Sequence, residues 1–179
     1  MKIIFKYNLI QDLLCGLDTL FKRREYLDVR SVVRFSFILP IKTFLTQRQL
    51  LFNISKLWKL VEKDTLKGLD INGISFDSHE VTVYVVSLGV EGKYDDKRRN
   101  IWARYYMCGG EKEFIETIIH ELIHIYFGDG IETYDEIEDK VGSVVDNIGI
   151  DSIFRGKKYK KYSIGQGKLA PNQLEKLKN

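Results

Sequence analysis

The sequence predicts an α+β fold, and three observations predict it. Strand-like apolar runs occur at 32–40, 70–76, 81–88 and 100–106. Two neighbouring windows, 111–127 and 133–149, repeat their apolar residues every three or four positions, as amphipathic helices do. Within the first window, residues 120–124 read HELIH, which places two histidines one helical turn apart.

The opening stretch, MKIIFKYNLIQDLLCGLDTLF, has the apolar content of a signal peptide. Lys6, Gln11, Asp12 and Asp18 interrupt it, however, and no small-residue cleavage site follows. An amphipathic helix over 8–21 fits better, with Leu9, Ile10, Leu13, Leu14, Leu17, Leu20 and Phe21 as its apolar residues; such a helix can also lie on a membrane surface. VRSVVRFSFILP alternates Val33, Phe35, Phe37 and Leu39 and reads as a strand ending at Pro40. Thr46 and Gln49 form a capping box that opens a helix to Lys67, with Leu50, Leu51, Ile54, Leu57, Trp58 and Val61 inward. Strands over 70–76, 81–88 and 100–106 follow, and KYDDKRRN between the last two is polar turn material. The expected organisation is an N-terminal helix and strand extension over 1–45, a core over 46–150 and a basic tail over 151–179.

The window 111–127 carries the chemistry. Phe114, Ile115, Ile118, Ile119, Leu122, Ile123 and Tyr126 recur at helical spacing, Glu111 and Glu113 suit the positive end of the helix dipole, and Gly128 is a natural residue just past the end. With three histidines and twelve glutamates in 179 residues, a chance HExxH arises in about three of a thousand such chains. Imidazoles at i and i+4 can share one zinc, and the glutamate after the first histidine can reach a water on it. Two histidines and a carboxylate buried for packing alone would need three sets of polar partners. His120 and His124 are therefore candidate metal ligands, and Glu121 a candidate catalytic base.

A third ligand must come from elsewhere. The continuation HExxHxxGxxH needs glycine at 127 and histidine at 130, where this chain has Phe127 and Gly130. No histidine follows His124, and His79 reads as an exposed turn residue ahead of a strand, so a carboxylate is left. Glu132 precedes the next helix, and Glu136 is the capping partner of Thr133. Glu138 shares a face with Val141, Val145 and Ile148, where a charge is costly unless it is paired or bound to metal. A hairpin through 128–132 would bring His124 and Glu138 to the same level. Glu138 is the favoured ligand, with Glu136 and a carboxylate elsewhere as alternatives.

HELIHIYFG, a short loop and DEIEDKVG together resemble the minimal gluzincin-type metallopeptidases, or minigluzincins. These are small soluble zincins of archaeal and phage type, similar in core to the catalytic domains of certain integral-membrane peptidases. The resemblance covers residues 47–149, and its specific part is 117–142. It implies a zincin-like α+β core: a small mixed sheet backed by a helix, then an HExxH helix followed by a glutamate helix. It implies His120, His124 and Glu138 as ligands of Zn²⁺, Glu121 as general base and acid, and a protein or peptide substrate. In zincins an edge strand pairs with extended substrate, because unpaired backbone groups accept a peptide as an added strand. That points to Asn100, Ile101, Trp102, Ala103 and Arg104 for substrate binding. The chain departs from the pattern at Gly142, where many gluzincins carry an aspartate that supports the first histidine. Tyr105, Tyr106, Tyr126 and Tyr134 are all candidates for a second oxyanion donor.

Composition bounds the rest. A 179-residue chain with 44% hydrophobic content can bury a core, and the absence of an 18-residue uncharged apolar run predicts no transmembrane helix. Cys15 and Cys108 read as free thiols of a cytoplasmic protein. From Arg155 onward eight lysines and arginines face one glutamate, a net of +7 in a chain of net +3. The expectation is a flexible solubilising tail. The alternatives are a nucleic-acid-binding arm through Arg155–Lys161, where KKYKKY mixes cations with aromatics, and a latency segment lying in the cleft. The apolar N-terminal extension leaves room for a homodimer. The leading function is a zinc endopeptidase; a nucleic-acid-associated protease and an inactive zincin core serving as a binding module are the competitors.

Overall fold

Alternation decides the centre of the sheet. In β2 (Glu80–Val86) Val81, Val83 and Val85 are buried on one face, and in β4 (Asn100–Arg104) Ile101 and Ala103 join them. These strands pair in parallel, with Val83 opposite Ile101. β1 (Lys2–Lys6) adds to the other side of β2 in parallel, and β3 (Gly92–Asp95) adds to β4 antiparallel. The result is a mixed four-stranded sheet of order β1-β2-β4-β3. The structure, a computed structural model, describes residues 1–22, 29–76, 80–87, 92–95, 97–105, 111–128 and 134–155, omitting the side chains of 18–22, 29–40, 42 and 134.

The remaining elements are helices: α1 (Leu9–Lys22), α2 (Val29–Ile71), α3 (Glu111–Phe127), α4 (Tyr134–Ile148) and α5 (Ile150–Phe154). The expected α+β class is therefore observed, with a small mixed sheet. Leu50, Ile54, Leu57, Trp58 and Val61 of α2 are buried in one core with Phe114, Ile118 and Leu122 of α3 and Val141 and Val145 of α4. α3 lies against β3 and β4, and α4 packs on both α2 and α3. α1 reaches the sheet through buried Asp12. Its carboxylate accepts from Ser87 N at 2.8 Å, Ser87 Oγ at 2.7 Å and Tyr7 Oη at 2.9 Å.

Several elements differ from expectation. The strand expected over 32–40 is helical and belongs to α2, which runs through Pro40 and through the boundary expected at residue 46. Thr46 and Gln49 are therefore not caps. Thr46 Oγ1 donates to Thr43 O at 3.5 Å and Gln49 Nε2 to Asn53 Oδ1 at 2.8 Å, both within the helix. No strand forms over 70–76. α2 ends at Ile71, and Gly73, at φ 76°, closes it with Gly73 N donating to Asp70 O and Ile74 N to Leu69 O. This paired-bond stop uses the left-handed region that glycine enters freely. Two strands were absent from the expectation, β1 and β3. β1 pairs with β2 in the sheet, and α2 runs across residue 46. At the other end α5 buries Ile153 and Phe154, so the packed chain continues past 151.

Candidate metal centre

α3 brings the histidines together as its periodicity requires. Ile115, Ile118, Ile119, Leu122 and Ile123 bury the helix, and Gly128 (φ 68°) ends it with its N–H on His124 O at 2.9 Å. The His120 and His124 Nε2 atoms stand 3.1 Å apart. α4 turns Ile137, Val141, Val145 and Ile148 into the core and carries Glu138 to the same point. Its Oε2 lies 3.3 Å from His120 Nε2 and its Oε1 3.2 Å from His124 Nε2. Among the described residues these three form a group whose ligand atoms all lie within 4.8 Å of one another.

The donor set fits a cation. With their Nε2 lone pairs free, the two imidazoles and the carboxylate would all present acceptors to one point, which a shared cation would satisfy. A tetrahedral zinc with bonds of about 2.0–2.1 Å separates its ligand atoms by roughly 3.3 Å, close to the spacings observed. Burial lowers the His124 pKa, the neighbouring His120 lowers it further, and Glu138 opposes both. Glu136 is exposed and outside the group, and Glu132, Thr133 and His79 lie outside the described residues.

Glu121 sits beside this group, 7% exposed. Burial, with a further contribution from the charge of Glu138, pushes its pKa up to about 8. Its carboxylate lies against the backbone of Gly92 on β3. A Cβ at 92 would collide with Glu121 Oε1 and stand 2.9 Å from both Glu121 Cδ and Thr117 Cγ2. Two residues along the same strand face, the Tyr94 ring stacks on His124 with centroids 4.9 Å apart and planes 7° from parallel. His124 Nδ1 is buried without a hydrogen-bond partner among the described residues, so on that side of the ring the stacking adds to the contacts its Nε2 makes. Gly142 leaves open space, with nothing within 4 Å of an added Cβ.

Sequence reasoning missed Gly92 and Tyr94 because GKYD looks like turn material. The only signal was the lone apolar-bodied tyrosine in a polar run. The substrate strand needs correction. Asn100–Arg104 is paired on both sides, by β2 and by β3, and has no free ladder for a peptide. The strand at that edge of the sheet is β3. Ile101 and Ala103 are core residues, and Trp102 stacks on Tyr84 while donating Nε1–H to Gln11 Oε1 at 3.2 Å. Of the candidate oxyanion tyrosines, Tyr105 packs edge-on against Phe114, and Tyr126 donates to Gly73 O at 3.0 Å. Tyr106, the Tyr134 side chain, Cys108 and residues 156–161 of the basic arm lie outside the described residues. No helix among the described residues is long and apolar enough to cross a membrane. No protein-family model, curated protein or solved structure matches the chain.

Proposed function

We propose that the chain is a zinc-dependent metallopeptidase of the gluzincin-like type, with His120, His124 and Glu138 as metal ligands and Glu121 as general base and acid. The observation that carries the reading is the convergence of two Nε2 atoms and one carboxylate at 3.1–3.3 Å, with a second, buried carboxylate alongside. When bound, zinc supplies Lewis acidity, activating water near neutral pH and polarising the scissile carbonyl. Glu121 takes a proton from the attacking water and passes it to the leaving amine, a role suited to a carboxyl poised near neutrality. Tyr94 and Gly92 hold the ligand ring and the base from the side opposite α3. The outer edge of β3 carries no further strand among the described residues, which supports an extended peptide as substrate.

Metal analysis and peptide cleavage test the reading. The purified protein should hold one zinc per chain and cleave casein or a peptide library. Glu121→Gln should keep the metal and lose turnover, whereas Glu138→Ala should lose the metal. Zinc affinity unchanged in Glu138→Ala would refute the ligand set. A zinc-loaded protein that cleaves nothing in the library would refute the activity.

A further inference from the structure

The face of α3 that carries the two histidines is acidic along the turns that precede them. At about 100° per residue, Glu113, Glu116, His120 and His124 fall within a sector of roughly 80°. Glu113 is exposed and Glu116 half-buried. Glu113 lies in the first turn, where a carboxylate suits the helix dipole; Glu116 lies past it, where that field has faded. α3 contains one lysine and no arginine, and that lysine, Lys112, is engaged by Asp151 of α5 at 2.6 Å. Among the described residues, the charge that acts on buried Glu121 is that of another carboxylate, Glu138. The metal group therefore has carboxylates on its α3 side and no cation of α3 free to balance them.

β3 supplies no cation at that end either. Gly92 and Tyr94 face α3, so Lys93 alternates to the other face of the strand. Lys97 and Arg98 follow Asp95, at the opposite end of β3 from the contact of Gly92 with Glu121 and Thr117. A peptide on the outer edge of β3 would pass Glu116 on the Gly92 side of the metal. Glu116 precedes His120 by one turn, about 6 Å along the axis. Two residues of extended chain span about 7 Å, nearly the same distance. A carboxylate partly out of water attracts a cation more strongly than a fully solvated one. We infer that Glu116, assisted by Glu113, makes the site select peptides with a lysine or arginine about two residues from the scissile bond, on the side that lies toward Gly92. The inference rests on the peptidase reading and names its substrate class.

Cleavage and binding test it separately. With the scissile bond located by mass spectrometry in a peptide library, matched peptides are compared that differ only at the second residue from the cut. Arginine there should raise kcat/KM about tenfold over alanine, and glutamate should lower it below alanine. Glu113→Gln with Glu116→Gln should bring the arginine-to-alanine ratio to within about twofold of one, while the alanine peptide and the zinc content stay near parent values. For binding, a fluorescent library peptide with a central arginine and its alanine counterpart are titrated onto zinc-loaded Glu121→Gln protein. Their Kd values should differ by about tenfold in anisotropy, and about 0.5 M salt should remove most of the difference. The inference is overturned if arginine and alanine peptides are cleaved and bound alike, or if the preference survives the double substitution. A zinc-loaded chain that cleaves nothing refutes the peptidase reading, and the binding ratio then decides the selection of a cation by itself.

Discussion

Gly92→Ala isolates what the edge strand does for Glu121, the proposed general base. An alanine Cβ would stand 2.9 Å from Glu121 Cδ and from Thr117 Cγ2, whereas ordinary carbon contacts settle at about 3.5–4.0 Å. Both neighbours must give, by up to about 1 Å. Thr117 is the better anchored, since its Oγ1 donates to Glu113 O at 3.0 Å, so the larger displacement falls on the flexible end of Glu121. Misplacing a reacting group by about 1 Å costs on the order of 10²-fold in rate. That corresponds to about 2.7 kcal/mol of activation free energy. The proposed ligands His120, His124 and Glu138 are not touched, so zinc content should stay at the parent level. The assay is steady-state cleavage of a quenched fluorescent peptide, with zinc measured on the same sample. Adding Thr117→Ser, which removes the crowded Cγ2, should recover part of the rate. Parent-level kcat/KM in Gly92→Ala, with alanine confirmed in place, would refute the claim that β3 seats the base.

Three further outcomes are expected. Tyr94→Ala should loosen zinc by about tenfold in a chelator competition, whereas Tyr94→Phe should leave affinity near the parent value, because the ring and not the hydroxyl restrains His124; equal affinities in all three proteins would remove that role. Asp12→Ala leaves two buried donors of Ser87 and the Tyr7 hydroxyl without their acceptor, and should cost about 2–4 kcal/mol in urea unfolding; a loss under about 0.5 kcal/mol would contradict the account of how α1 is tied to β2. The chelated, metal-free protein should lose stability as pH rises. Folding raises the Glu121 pKa from 4.5 to about 8, so between those values the folded chain keeps a proton that the unfolded chain releases. Depressed His124 gives the opposite slope below the ordinary imidazole value of 6.5. The unopposed window is therefore about pH 6.5–8, with a fall of about 2 kcal/mol that Glu121→Gln should flatten.

The HELIH helix was legible because α3 repeats its apolar residues through four turns, long enough for a 3.6-residue period to be distinguished from any other. Glu138 was legible for a different reason, a carboxylate on the Val141–Val145 stripe that a helix would otherwise bury unpaired. The stretch 32–40 was misread because Val32 and Ile38 interrupt the alternation of Val33, Phe35, Phe37 and Leu39 with further apolar residues. Such a run has no decisive period, and continuity with the strongly helical 50–71 segment settles it as helix. Pro40 then occupies a helix interior, where it forgoes one backbone hydrogen bond. β1 and β3, five and four residues long, are too short to display a period. Their identity comes from partners far along the chain or across a turn, so Tyr94 and Gly92 acquire their roles only when β4 pairs with them.

The pairing of Lys2–Lys6 with Glu80–Tyr84 joins residues 78 apart in the chain, and β2 needs both neighbours before its two edges are paired. A ribosome must therefore deliver β4 before both edges of β2 are paired, which gives this sheet a late, long-range closing step. Until then β2 is an apolar strand with open edges, the kind of segment that recruits other chains. β1 ends that exposure and places Lys2 and Lys6 at its two ends, where charge discourages another strand from adding on. An expression variant trimmed to begin after Lys6 would retain every residue of the metal centre and still tend to aggregate, because it would turn the most apolar strand of the sheet into its rim.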